Sequence, residues 1–209
     1  MLPKVFVIGF NKCGTTSLHR MFLRAGHRSS HHRHLLADGS SVKLASRMHD
    51  NARAGHPLLT GIEDAGAYSD MDICGQGRQL SGIALFRTLD RQYPDSRFIL
   101  NTRDPQNWLT SRGRHLGGGY LRRAMRLAGV ADAGQMRAIW LREWHAHHAA
   151  VRTHFAGRPD QMLVFDIEGD DPLRLCRFLP GFGLRPGHWR HHNRTPDSLT
   201  APPPLALAS

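Results

Sequence analysis

What most narrows the fold of this chain lies near its start, in K-V-F-V-I-G-F-N-K-C-G-T-T-S-L, residues 4 to 18. Val5 to Ile8 is an apolar, largely β-branched run, the composition of a buried strand. Gly9 to Gly14 is a glycine-bounded turn with one lysine, Lys12. Thr15, Thr16 and Ser17 then open a segment whose apolar residues Leu18, Met21, Phe22 and Ala25 recur at helical spacing. Strand, glycine turn and hydroxyl-rich helix start form an anion-binding arrangement. The first N–H groups of a helix lack intrahelical partners, and the helix dipole favours negative charge there.

The loop departs from the nucleotide-triphosphate pattern G-x-x-x-x-G-K-[ST]. Gly9 and Gly14 keep the glycine spacing, but Thr15 stands at the lysine position and the only loop lysine is Lys12. The positive charge moves to the other side of the anion, where a group leaves or arrives. The lysine–magnesium pairing of an ATPase has no obvious counterpart.

The rest of the chain predicts an alternating α/β order. A strand over about 4–9 and a helix over 15–25 precede a histidine-rich stretch (His27, His31, His32, His34) expected to hold a short second strand and an exposed loop. Helices are predicted over 41–54 and 79–93, with an irregular segment from Leu58 to Asp72 between them that has room for short extended pieces. R-F-I-L-N-T (97–102) reads as a second buried strand, followed by a helix over 105–114 and a loop at Gly117–Gly119. The longest helix is predicted over 133–156, then a strand M-L-V-F-D (162–166) and a short helix over 172–179. Buried strands separated by helices imply an α/β fold of three layers, a central parallel sheet between helices. Ligands of such sheets bind beyond the C-terminal strand ends. Residues 1–200 read as a single domain, because 209 residues suffice for one full core. The unpatterned end, 201–209, reads as a loose tail.

Charge and cysteine content bound the environment. The formal net charge is +11 and is carried almost entirely by arginine, the lysines being Lys4, Lys12 and Lys43. Arginine makes two-pronged contacts with phosphate, sulfate and carboxylate, so the partner class is anionic. Cys13, Cys74 and Cys176 are odd in number and far apart, neither a disulfide framework nor a zinc pattern. No run of about 18 apolar residues predicts a membrane span, and the early strand leaves no room for a signal peptide, so the expected location is the cytoplasm.

A second constellation follows the strand at 97–102: R-D-P-Q-N-W-L-T-S, residues 103–111. Arg103 stands at the strand end, Pro105 suits a first helical turn, and Ser111 lies about two turns further on. An arginine and a serine so placed can jointly hold a second phosphate.

These two motifs, in this order, resemble the sulfotransferase family, whose members use 3′-phosphoadenosine-5′-phosphosulfate (PAPS). Lys12-Cys13-Gly14-Thr15-Thr16-Ser17 is similar to the family's 5′-phosphosulfate loop, and Arg103 with Ser111 to its 3′-phosphate clamp. The stretch 93–112 is most similar to bacterial-type members. Asn11 stands where many members have proline. The resemblance implies in-line sulfuryl transfer to a hydroxyl or amine, with Lys12 at the bond that breaks, the backbone of 14–17 on the 5′-phosphate, and no metal. It implies a small-molecule or glycan acceptor and a basic C-terminal loop closing the donor site, for which Arg190, His192 and Arg194 are available.

The general base differs between members and is not transferable. His31 or His32, Glu63 or Asp64, and Asp70 or Asp72 are the alternatives here. Two rival functions remain at this level. A P-loop kinase or NTPase would use Asp166 as its magnesium-holding strand end. A basic anion- or nucleic-acid-binding module without chemistry would explain the charge, although no nucleic-acid signature is present and no nucleic-acid partner is expected. The histidines 145, 147 and 148 carry no metal pattern such as H-E-x-x-H. Oligomeric state is not legible.

Overall fold

A computed structural model describes residues 2–75 and 77–190. The elements run β1 (Val5–Val7), α1 (Thr15–Arg24), β2 (Ser29–His31), β3 (Arg33–Leu35), β4 (Ser41–Lys43), α2 (Leu44–Arg53), β5 (Ala67–Ser69), β6 (Asp72–Gly75), β7 (Arg78–Ser81), α3 (Phe86–Gln92), β8 (Arg97–Thr102), α4 (Pro105–Arg114), α5 (Gly119–Ala128), α6 (Ala133–His154), β9 (Met162–Asp166) and α7 (Leu173–Phe178).

The main sheet has the order β4-β3-β2-β5-β1-β8-β9. Its five strands β2, β5, β1, β8 and β9 are parallel, with Val5 opposite both Ala67 and Arg97 and Thr102 opposite Asp166. The expected parallel core is therefore present. The segment 33–43 adds two antiparallel strands, β3 and β4, with β4 at the edge of the sheet.

Strand alternation sorts the core into two clusters. Phe6, Ile8, Tyr68, Phe98 and Leu100 face one side, packed with Met48, Phe86, Trp108, Trp140 and Phe155. Val5, Val7, Ala67, Ile99 and Phe165 face the other, against Leu18, Met21 and Phe22 of α1 and Leu175 of α7. This makes the three layers. The chain leaves β1 for β2 and β5 on one side and returns to β8 and β9 on the other. The order thus switches at β1, the position where parallel sheets open a crevice for ligands.

Three boundaries differ from the sequence expectation. Residues 41–43 are strand because β4 pairs with β3, and the helix starts only at Leu44. The expected helix over 79–93 is split: Arg78–Ser81 pairs with β6 as a hairpin, a 3-10 turn covers Ile83–Leu85, and helix resumes at Phe86. Cross-strand bonds there, with Ser81 Oγ donating to Asp72 Oδ1 at 2.9 Å, outweigh the helical spacing of Leu80 and Ile83. The glycine loop at 117–119 leads directly into α5, whose Tyr120 and Ala124 face the core among arginines that mask the pattern. Trp140, Trp144, Val151 and Phe155 are core residues, as their spacing implies.

Candidate active site

The glycine loop is clamped from below by one buried side chain. Asn101 of β8 accepts from the Gly9 N–H at 2.8 Å and donates to the Cys13 carbonyl at 2.7 Å, spanning the loop. The backbone approach is so close that a Cβ on Gly9 would lie 1.9 Å from the Asn101 carbonyl oxygen, which only glycine permits. Two more loop carbonyls are bound from outside: Trp108 Nε1 donates to Asn11 O at 3.0 Å and Arg103 Nη1 to Lys12 O at 3.3 Å. Gly14 caps α1 in the left-handed region (φ 74°), and a Cβ there would meet Ile167 Cγ2 at 2.9 Å. The tethered loop leads into the N-terminal end of α1, whose first turn holds no acidic residue and whose dipole favours an anion.

Lys12 itself adopts φ 67°, rare for a residue with a side chain. Burial holds its ammonium below the usual lysine range, Arg103 pushes the same way, and Asp70 opposes both. Cys13 is fully buried, and burial pushes its thiol far up, so the reactive thiolate that a helix N-terminus can favour is not formed here.

Arg103 leaves β8 toward this loop, and α4 begins beside it. Asp104 caps α4 by accepting from Gln106 N and Asn107 N at 2.9 and 2.8 Å. Ser111 is buried on the Asn107 face of α4, one turn on, and is not a solvent-facing residue. The ionic partner of Arg103 is Glu168, beyond β9, rather than its neighbour Asp104. Partial burial disfavours the Glu168 carboxylate, but the Asp104 N–H, Arg103 and Asn107 outweigh it and hold its pKa down.

On the other side of Lys12 the ends of β2 and β5 converge. His31 Nε2 lies 3.2 Å from Thr15 Oγ1 and 3.4 Å from Thr16 Oγ1. Asp70 Oδ2 lies 3.9 Å from both His31 Nε2 and His32 Nδ1. Burial keeps His31 below the ordinary histidine range, against the pull of Asp70. His32 (φ 58°) and Asp70 (φ 54°) share the left-handed conformation of Lys12. Such strain costs about 1–3 kcal/mol per residue and collects at functional sites. Here three strained residues meet at one sheet edge.

Two residues of this edge carry no sequence signal. Burial, and then the charge of Lys12, push the pKa of His115, after α4, below the ordinary histidine range. Arg112 is 3% exposed and lies 4.8 Å from the Trp108 and Trp140 rings, with Nη2 donating to Tyr120 Oη at 2.9 Å. Its Nε and Nη1 lack protein partners.

Other sequence alternatives fall elsewhere. Glu63 and Asp64 precede β5 and stand at the opposite sheet edge; Asp64 pairs with Arg28 at 2.7 Å and His34 at 2.9 Å. Parallel topology removes both from the site. Asp72 belongs to the β6–β7 hairpin, where burial raises its carboxyl to about 6 against the opposing charge of Arg112. Asp166 accepts from the Glu168 N–H at 2.9 Å within its turn. His145 is exposed, whereas His148 is buried and bonds Thr102 Oγ1 at 3.1 Å, so the two do not share an environment. Among the described residues no group of three or more His, Cys, Asp or Glu is arranged to hold a metal ion, and no helix is long and apolar enough to cross a membrane. Arg190 is exposed, while His192, Arg194 and the segment 201–209 lie outside the described residues.

Similarity to known proteins points the same way. The pattern defining the sulfotransferase domain matches residues 4–142. Among solved structures, a sulfotransferase from Alicyclobacillus acidocaldarius superposes with a TM-score of 0.51 at 19% identity, over 97% of this chain and 87% of that one. That likeness is one of fold. No curated protein matches the sequence. The domain match spans β1 into the first half of α6, including the glycine loop, Asp70 and the Arg103–Ser111 segment, and the chain belongs to the sulfotransferase family.

Proposed function

We propose that the sulfuryl donor is PAPS and that its 5′-phosphosulfate lies on the loop Lys12–Ser17, with its 3′-phosphate at Arg103 and Ser111. The observation that carries this is the tethering of three successive loop carbonyls, at Asn11, Lys12 and Cys13, which fixes the loop at the N-terminal end of α1, where the helix dipole favours an anion. The two-ended donor explains why one site holds two separate basic positions. An acceptor hydroxyl oxygen attacks sulfur in line, the S–O bond to the 5′-phosphate breaks, and the electron pair stays on the phosphate. Lys12 stabilises that leaving charge, and the loop N–H groups hold it in place.

The acceptor proton goes to Asp70, the carboxylate whose charge bears on Lys12 and which stands 3.9 Å from His31 and His32. His32 is the alternative base. Asp72 is disfavoured by its hairpin bond to Ser81. The acceptor is a small molecule or glycan bearing a hydroxyl or amine. The free thiols Cys13, Cys74 and Cys176 suit a reducing cytoplasm. Transfer of labelled sulfate from PAPS to a panel of acceptors tests the reading. Incorporation by the wild type and its loss in Lys12→Ala support it; equal incorporation by both proteins contradicts it.

A further inference from the structure

The Nε–Nη2 fork of the Arg103 guanidinium is occupied by a carboxylate of the protein. Nε and Nη2 both donate to Glu168 Oε1, the first at 3.0 Å, and Nη1 donates to the Lys12 carbonyl at 3.3 Å. The same carboxylate takes the Asp104 N–H at 3.0 Å and Asn107 Nδ2 at 3.2 and 3.3 Å. Arg103, a backbone N–H at the start of α4 and a side-chain amide thus converge on one anion, and the anion is the protein's own. Two-pronged contacts of this kind serve carboxylate and phosphate alike.

We propose that Glu168 is an internal competitor for the donor's 3′-phosphate and sets how tightly PAPS and its product are held. This rests on the donor reading above. A 3′-phosphate cannot take the Nε–Nη2 fork while Glu168 occupies it, and two anions sharing one cradle repel. The carboxylate must swing out as the phosphate enters, and it returns as the product leaves. The turn beneath it stays in place: Asp170 N donates to Asp166 O at 2.9 Å and Asp166 N to Asp170 Oδ2 at 2.8 Å. Only the Glu168 side chain, already 31% exposed, has to move.

Titration calorimetry of the full chain tests this with two probes, adenosine 3′,5′-bisphosphate and adenosine 5′-phosphate. Glu168→Gln removes the charge at nearly constant shape. It should bind the bisphosphate about five- to tenfold tighter than the wild type, since a hydrogen-bonded charge is being displaced. The monophosphate, which brings no 3′ charge, should be unaffected. Glu168→Asp, which keeps the charge, should retain most of the wild-type weakness. A merely structural role would lower thermal stability and shift both ligands together. Equal tightening for both ligands, or weaker bisphosphate binding, overturns the inference while leaving the donor reading intact. If the wild type binds neither ligand, the donor reading fails and the inference with it.

Discussion

Arg103 Nη1 donates to the backbone carbonyl of Lys12 at 3.3 Å, so the residue proposed for the donor's 3′ end also holds the residue proposed at its scissile bond. The two motifs are one mechanical unit. Replacing Arg103 by Ala should weaken binding of adenosine 3′,5′-bisphosphate by about 10–100-fold, from lost charge-assisted bonds. It should also lower kcat at saturating donor, because Lys12 loses a tether. A change in donor KM alone would mean that the tether does not matter to catalysis. Lys12→Ala should leave donor affinity within a few-fold while lowering kcat by about 10²–10³.

Asn101 supports the loop from a fully buried position. Asn101→Ala would leave the Gly9 N–H and the Cys13 carbonyl without their side-chain partner, at about 1–3 kcal/mol each. Urea denaturation should show a loss of that order, with weaker bisphosphate binding in the protein that remains folded. A fully stable variant with unchanged donor affinity would remove Asn101 from the account.

The choice of base separates by kinetics. Asp70→Asn should reduce kcat by about 10²-fold or more, with donor affinity preserved. His32→Gln should cost much less. The opposite order would transfer the proton-accepting role to His32.

Burial lowers the His148 pKa to about 4, against the bond from Nδ1 to Trp144 O. An unfolded histidine titrates near about 6.5. Between these values the unfolded chain binds the extra proton, so stability falls as pH drops. Above that window the neutral ring contributes in full. His148→Gln cannot titrate. Its stability deficit against the wild type at pH 7.5 should therefore shrink as pH falls from about 6.5 to about 4. Chemical denaturation of both proteins across that range checks this, and a constant gap would contradict it.

Much of this site can be read from the chain because its chemistry is local. Gly9, Lys12 and Gly14 lie within one turn, and Arg103 with Asp104 and Pro105 marks a strand end and a helix start. What stayed hidden depends on partners distant in sequence. Glu168 reaches Arg103 across 65 positions, and Asn101 reaches Cys13 across 88. Neither has a spacing to betray it. The strained conformations of His32 and Asp70 follow from how β2 and β5 end, and a polar segment does not announce that. Glu63 and Asp64 seemed eligible only until the parallel direction of β5 put them at the wrong edge.

The central claim is that a PAPS-type ligand, not a nucleoside triphosphate with magnesium, fits the loop. Thermal unfolding with saturating adenosine 3′,5′-bisphosphate, set beside ATP with Mg²⁺, tests it most directly. At about 100 times Kd the bisphosphate should add about 2.7 kcal/mol, a rise in Tm of about 5–10 °C, and Lys12→Ala should keep most of that rise. ATP with Mg²⁺ should give little. Stabilisation by ATP with Mg²⁺ alone would contradict the account.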